Sequence, residues 1–338
     1  MARSTCWAPG LGALLVSALM AGCGGGGDSG SNSGGSVSGN GGASAAGATA
    51  TVPTTQVALA QEPNAPRFTG NTATDGLNWF NYRRQQIGLT AVERNGLLDT
   101  AALAHSNYQK LNNVITHDEI QGNPGFTGVN LYDLDAATDR FRAAGYRFTQ
   151  PRYAFGEVIS ATGDTSGFNA AEDLITAIYH RFVIFEPMFK EVGGGSATVS
   201  GGYTYFTTNF AADGLGPGLG RGGVITYPAA NQQNVPVNFY SDRESPDPVP
   251  NKNEVGFPIS IHADITSEIN LQSFTLQARG GAPVNVITLA SRSDVHTPTS
   301  AAAIIPVDVL ASGTTYDAQF TGTVDGVPVS RSWSFKTK

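Results

Sequence analysis

The spacing of apolar residues changes period near residue 190, and that change decides the fold class. From Asp75 onward the spacing is three or four residues, the period of a helix with one buried face. Leu77 and Phe80 share a face with Arg84, and this element stops at Gly88. Leu98, Ala101, Ala102, His105, Tyr108 and Leu111 define a second amphipathic helix. A third, capped by Asp133, carries Leu134, Ala137 and Phe141 and ends at Gly145. A fourth runs from about Asn169 to Arg181, with Leu174, Ile175 and Ile178 facing inward. Two strand-like runs follow, Glu191–Val199 and Tyr203–Phe210, joined across Gly201-Gly202 as a hairpin. Helices followed by an antiparallel hairpin predict an α+β domain over residues 62–212, its helices packed on a small antiparallel sheet.

Residues 213–223 are rich in glycine and read as a linker. Beyond them short strands alternate with turns: Val224–Tyr227, Val235–Tyr240, Phe257–His262, Ser273–Ala278, Val284–Leu289, Tyr316–Gly322 and Pro328–Phe335. Phe274, Leu276 and Ala278 line one face of their strand, and Asp325-Gly326 supplies a hairpin turn. Such a series predicts an all-β sandwich over 224–338. Its ending, from Gly313-Thr314-Thr315-Tyr316 to Trp333-Ser334-Phe335, resembles the last hairpin of bacterial immunoglobulin-like modules. Trp333 reads as a core anchor rather than a sugar-stacking platform. A linker of this kind implies two halves that fold separately, since few buried contacts should cross it.

The N-terminal residues do not contribute to either domain. Arg3 followed by the apolar run Leu11–Leu19 reads as a targeting segment too short to span a bilayer. Leu19-Met20-Ala21-Gly22-Cys23 resembles a bacterial lipobox, which makes 1–22 a signal peptide and Cys23 the lipidated first residue. Gly24 after the cysteine, in place of an aspartate, favours the outer membrane or cell surface of the bacterial envelope. Residues 23–61 are dominated by Gly, Ser, Ala, Asn and Thr. They predict a disordered tether, because such a composition cannot bury enough apolar surface to offset its ordering entropy. Membrane attachment would then run through the N-terminal lipid. The chain's two cysteines, Cys6 and Cys23, lie too early to staple a fold. Only 14% of residues are charged and the net charge is −7, with no block of Lys or Arg, so nucleic acid is not an expected partner.

Across residues 74–212 the order of motifs resembles the CAP superfamily, the group of cysteine-rich secretory, antigen-5 and pathogenesis-related class 1 proteins, also called sperm-coating-protein-like domains. The resemblance is carried by the helix Leu77-Asn78-Trp79-Phe80-Asn81-Tyr82-Arg83-Arg84 and the alanine-rich Ala101-Ala102-Leu103-Ala104-His105. It continues through His117, Arg140 to Ala144-Gly145-Tyr146, Gly156-Glu157, His180-Arg181 and Gly193-Gly194-Gly195. No one of these is specific; their order is. The triple glycine itself reads as a strand that another backbone approaches closely. No Lys-Ser or Lys-Thr follows it, as a phosphate loop would need.

The resemblance implies an open cleft lined by His117, Glu157 and His180. In some family members the two histidines hold a divalent metal, which makes zinc or a similar ion the candidate cofactor, with His117 and His180 as ligands. Two neutral imidazoles suit such an ion, and a neighbouring carboxylate orients a ring or accepts its proton. Separations of 40 and 23 residues mean that only the tertiary fold can bring the three together. Two positions depart from the family: Val158 replaces the Asn after the glutamate, and Ala177 stands near where a second acid is expected. Glu172 and Asp173 lie more than a turn earlier. A site short of one carboxylate suits binding better than acid–base chemistry. The sequence therefore favours a cleft for a small apolar molecule or lipid, a peptide or a glycan. The alternative is a metal-dependent hydrolase with Glu157 as its catalytic base. His105 reads as a hydrogen-bonded core histidine, and His262 and His296 have no partner at metal-ligand spacing. No Gly-x-Ser-x-Gly elbow is present.

Overall fold

The computed structural model describes residues 62–338; the signal peptide, Cys23 and the tether lie outside the described residues. The first half contains α1 (Thr72–Gln86), β1 (Glu93–Arg94), α2 (Gly96–Asn112), α3 (Arg140–Ala143) and β2 (Tyr153–Thr162). It continues with α4 (Gly167–Thr176), α5 (Ile178–Ile184), β3 (Glu191–Thr198) and β4 (Thr204–Asp213). Asn71 caps α1 by accepting the Thr74 N–H at 2.8 Å, and Asn95 caps α2 through the Leu97 N–H at 2.9 Å. The four strands lie in the order β1-β3-β4-β2, antiparallel except for β1 against β3.

The three glycines of β3 set the layers. A Cβ on Gly193 or Gly195 would strike the α2 backbone, 2.2 Å from Asp99 N and 2.1 Å from Leu103 N. One on Gly194 would meet Leu77 of α1, its nearest atom 3.1 Å away. Alternate residues of a strand face opposite sides, so α2 covers one face of the sheet and α1 the other. The close backbone approach expected of this run is present.

Three sequence expectations are corrected. Asp133 starts no helix; the segment is a loop, Leu134 is 64% exposed, and only Arg140–Ala143 is helical, capped by Asp139 through the Arg142 N–H at 2.8 Å. The fourth helix is two helices, α4 and α5, broken at Ala177, whose backbone is extended. Strand β2 was not foreseen. Eight of its ten residues are buried in a continuous run, because both faces of the sheet are covered and no alternation survives.

The second half comprises β5 (Ile225–Tyr227), β6 (Asn238–Tyr240), β7 (Glu254–Gly256), β8 (Ile259–His262), β9 (Ile269–Ala278), β10 (Val286–Ala290), β11 (Ala301–Pro306), β12 (Thr315–Val324) and β13 (Val327–Lys336). They form antiparallel sheets ordered β10-β11-β8-β5 and β13-β12-β9, with β6 and β7 as a separate pair. Strands β7 and β11 escaped the sequence reading, β11 because all six of its residues are buried. Asp325 and Gly326, with φ of 52° and 74°, make the turn expected between β12 and β13. Trp333 is buried against Phe274, 5.9 Å between ring centres.

The halves are not separate bodies. One continuous core runs from Phe80, Phe206 and Phe185 of the first half to Tyr227, Phe257, Ile259 and Phe320 of the second. A second cluster joins Ile178, Tyr179 and Phe182 of α5 to Phe239, Val255 and Ile305. Arg181 completes the seam. Its buried guanidinium donates to the Pro258 carbonyl at 2.7 Å and lies over the rings of Tyr227 and Phe257, 4.9 and 5.0 Å from their centres. The independence expected from the glycine-rich 213–223 segment is therefore corrected: α5 is sandwiched between the halves.

Candidate functional site

Glu157 lies on β2, opposite Asn209 of β4 in the strand register. Four donors converge on it. Arg140 supplies two, Nη1 to Oε2 at 2.7 Å and Nη2 to Oε1 at 3.0 Å. His117 supplies its Nδ1–H to Oε1 at 2.8 Å. Asn209, with its amide turned so that its oxygen accepts from the Ala102 N–H, gives its amide nitrogen to Oε2 at 2.9 Å. Burial alone would raise the Glu157 carboxyl, but Arg140, His105 and His117 outweigh it and hold it well below the usual carboxylate range. Glu157 is thus a fully engaged anion, and a poor proton acceptor.

His117 sits in the loop after α2, its carbonyl bound by Arg140 Nη2 at 2.6 Å. Burial lowers its ring below 6.5; the Glu157 bond partly opposes this, while His180 and Arg140 add to it. A neutral ring that gives its Nδ1 proton to Glu157 keeps its lone pair on Nε2. That atom is buried and has no hydrogen-bond partner.

His180 lies on α5, near enough in space to lower His117 electrostatically. Its own direct partner is neither His117 nor Glu157. Nδ1 bonds Glu244 Oε1 at 3.0 Å, a residue of the second half. The side chains of His117, Glu157 and His180 are 13%, 4% and 1% exposed. The second half packs on α5 and covers His180.

Beside the site lies a hydrogen-bonded pair, His105 with Glu119, of which the sequence placed His105 as core. His105 bonds Glu119 Oε1 at 2.8 Å through Nδ1 and the Thr116 carbonyl at 2.7 Å through Nε2. Glu119 also accepts the N–H groups of Thr127 and Gly128. Both acids considered as replacements for the missing carboxylate lie elsewhere: Glu172 binds the Trp79 indole and Arg83, and burial beside Glu172 pushes Asp173 up to about 6. His262 is buried against Ser260, and His296 packs its ring on Tyr179.

A metal needs more donors than these residues offer. Glu157 is saturated, and His180 commits Nδ1 to Glu244, which leaves two imidazole Nε2 atoms. Among the described residues no group of three or more His, Cys, Asp or Glu is placed to hold an ion. The arrangement fits a metal site poorly.

Residues 77–210 match the family model described as CAP, cysteine-rich secretory protein family, which supports the CAP superfamily for that part of the chain. No curated protein matches the chain. Among solved structures, the chain is similar to an extracellular protein containing a SCP domain from Bacillus anthracis str. Ames. Identity is 20% over 42% of this chain and 40% of that one, with a TM-score of 0.33. An outer surface protein from Borrelia burgdorferi matches at 13% identity over 40% of this chain and 88% of that one, TM-score 0.30. Venom allergen-like protein 4 from Schistosoma mansoni matches at 13% identity over 43% and 90%, TM-score 0.28. The chain spans less than half the length of the Bacillus protein.

Proposed function

We propose that this chain is an extracytoplasmic binding protein whose CAP domain captures a small molecule, peptide or glycan at His117, Glu157 and His180. One observation carries the reading: the buried, unpartnered Nε2 of a His117 held neutral beside a saturated Glu157. A bare acceptor in a low-dielectric setting is costly unless a ligand satisfies it. A carboxylate engaged by Arg140, His117 and Asn209 has no basicity left to activate water, which argues against the hydrolase. The same proposal places the protein in the bacterial envelope, anchored by lipid on Cys23, with its second half an immunoglobulin-like sandwich. No helix among the described residues is long and apolar enough to cross a membrane.

The test is native mass spectrometry and metal analysis of the full chain extracted from its host envelope, wild type against His117→Ala. A small-molecule adduct present in the wild type and lost from the variant is the expected result. Stoichiometric zinc in the wild type and none in the variant would overturn it in favour of the metal-dependent enzyme.

A further inference from the structure

His117 and His180 are both oriented by carboxylates, but the two carboxylates come from different halves of the molecule. Glu157 is on the sheet beside His117. Nothing near His180 in sequence plays that part, because Ala177 begins α5 without a side-chain cap and Glu172 is engaged by Trp79 and Arg83. The carboxylate arrives from Glu244, 64 residues further on, at the end of the short turn Ser241–Arg243 after β6.

Glu244 is buried and accepts four hydrogen bonds. Oε2 takes the Ile178 N–H at 2.8 Å; Oε1 takes the Tyr179 N–H at 2.7 Å, the His180 N–H at 3.2 Å and His180 Nδ1 at 3.0 Å. The first three satisfy the open donors of a helix start, as a capping side chain would. The fourth is not required for capping. It fixes the ring. This bonding also explains the break at Ala177: the N–H groups of 178–180 turn to Glu244 rather than to carbonyls of a continuous helix.

We infer that Glu244 is a positioning residue for His180, so that the second half of the chain completes a binding site otherwise built by the first. The inference rests on the reading of His117, Glu157 and His180 as a ligand site. A carboxylate only accepts, so the ring nitrogen facing it carries the proton, and a neutral His180 keeps its lone pair on Nε2. His117 is held the same way by Glu157. His117, held neutral with its lone pair on Nε2, selects a hydrogen-bond donor on a ligand: a hydroxyl, an amide N–H or an ammonium. Glu244 sets which nitrogen of the neighbouring His180 faces the carboxylate and which is left to the ligand.

Heteronuclear NMR of the full chain labelled in its histidine rings, at a pH where the imidazoles are neutral, tests the inference without any ligand. In the wild type His180 is expected as the Nδ1–H tautomer. In Glu244→Gln, whose carbonyl still accepts backbone N–H bonds while its amide offers a donor to the ring, His180 shifts to mainly Nε2–H. Glu244→Ala does the same if it folds, and His117 stays Nδ1–H in both as an internal control. Two results would overturn the proposal: a wild-type His180 protonated at Nε2, or an unchanged Nδ1–H tautomer in Glu244→Gln with only thermal stability lowered. The second would make Glu244 a helix cap and nothing more. Either leaves the His117-centred binding reading intact, and a failed search for a ligand leaves the tautomer result intact.

Discussion

Arg140 holds Glu157 through both terminal nitrogens of its guanidinium, at 2.7 and 3.0 Å, with the two side chains 1% and 4% exposed. A paired fork of this kind is strong because two charge-assisted hydrogen bonds act in parallel. Breaking it strands Glu157 as a buried anion. Arg140→Met is expected to destabilise the protein by roughly 3–5 kcal/mol, measured by urea unfolding. Arg140→Met combined with Glu157→Gln should recover much of that loss, since the uncompensated charge is gone. If the double variant is as unstable as the sum of the singles, the pair is not coupled as drawn.

Glu186, in the turn after α5, accepts the N–H groups of Met188 and Ile265, each at 3.0 Å, and so bridges the halves. Burial raises its carboxyl to about 8; the two N–H bonds pull it down, and nearby Asp264 pushes it up again. Its folded value thus lies above its unfolded one. The stabilisation is complete below about 4.5 and is lost as pH rises towards 8, at up to about 1.4 kcal/mol per pH unit. Measured from pH 5 to 8, the unfolding free energy of the wild type should fall relative to that of Glu186→Gln. A parallel slope in that variant would assign the effect to other groups.

The glycines of β3 give a packing prediction. Gly195→Ala places a Cβ 2.1 Å from the Leu103 nitrogen, against helix backbone that cannot rotate away. The helix must lift off the sheet, at a cost of about 3 kcal/mol or more. Gly163→Ala, where a Cβ meets nothing within 4 Å and φ is not positive, should stay within about 0.5 kcal/mol of wild type. Thermal denaturation of the two variants separates them; equal losses would mean that α2 does not rest on β3 this closely.

Because α5 is buried between the halves, the full chain should unfold in one calorimetric transition. Residues 62–212 and 222–338 expressed apart should aggregate, exposing Ile178, Tyr179 and Phe182 on one piece and Phe239, Val255 and Ile305 on the other. Two separate, reversible transitions matching those of the isolated pieces would restore the linker reading.

What was legible in the sequence follows from how each element meets solvent. Helix α2 keeps an exposed face, so its apolar period survives. Strands β2 and β11 are buried in continuous runs and show none. Asp133 looked like a helix cap because the same side-chain chemistry serves loops: it accepts the Asp135 N–H at 2.9 Å in a turn, while Asp139 starts the helix. The candidate site residues His117, Glu157 and His180 follow from the order of motifs, not from chemistry visible in the chain. Arg140 was noted only as a motif residue, since its role depends on a strand 17 residues away. Glu244 carries no signal in the sequence; its importance arises from a contact between halves, against the separation implied by the glycine-rich segment.

His117 makes the last prediction, and it links stability to function. Burial, His180 and Arg140 hold its ring below 6.5 against the pull of Glu157, so the folded protein keeps it neutral where an unfolded chain would begin to protonate. For a base with a depressed folded value, the stabilisation is present above 6.5 and is lost as pH falls through the depressed value. His262, driven well below 6.5 by burial and by Arg181 and Arg84, acts in the same direction. The contribution of these two rings should therefore decline from pH 7 to 5, opposite in sign to that of Glu186, and the unfolding free energy of the wild type relative to His117→Gln should fall over that range. Ligand capture should weaken over the same range, because protonation turns Nε2 from an acceptor into a donor facing a donor. Ring-proton shifts of His117 followed against pH check the premise directly. A midpoint at or above 6.5 would mean that the fold does not hold the ring neutral, and the link between its protonation, stability and ligand capture would have to be abandoned.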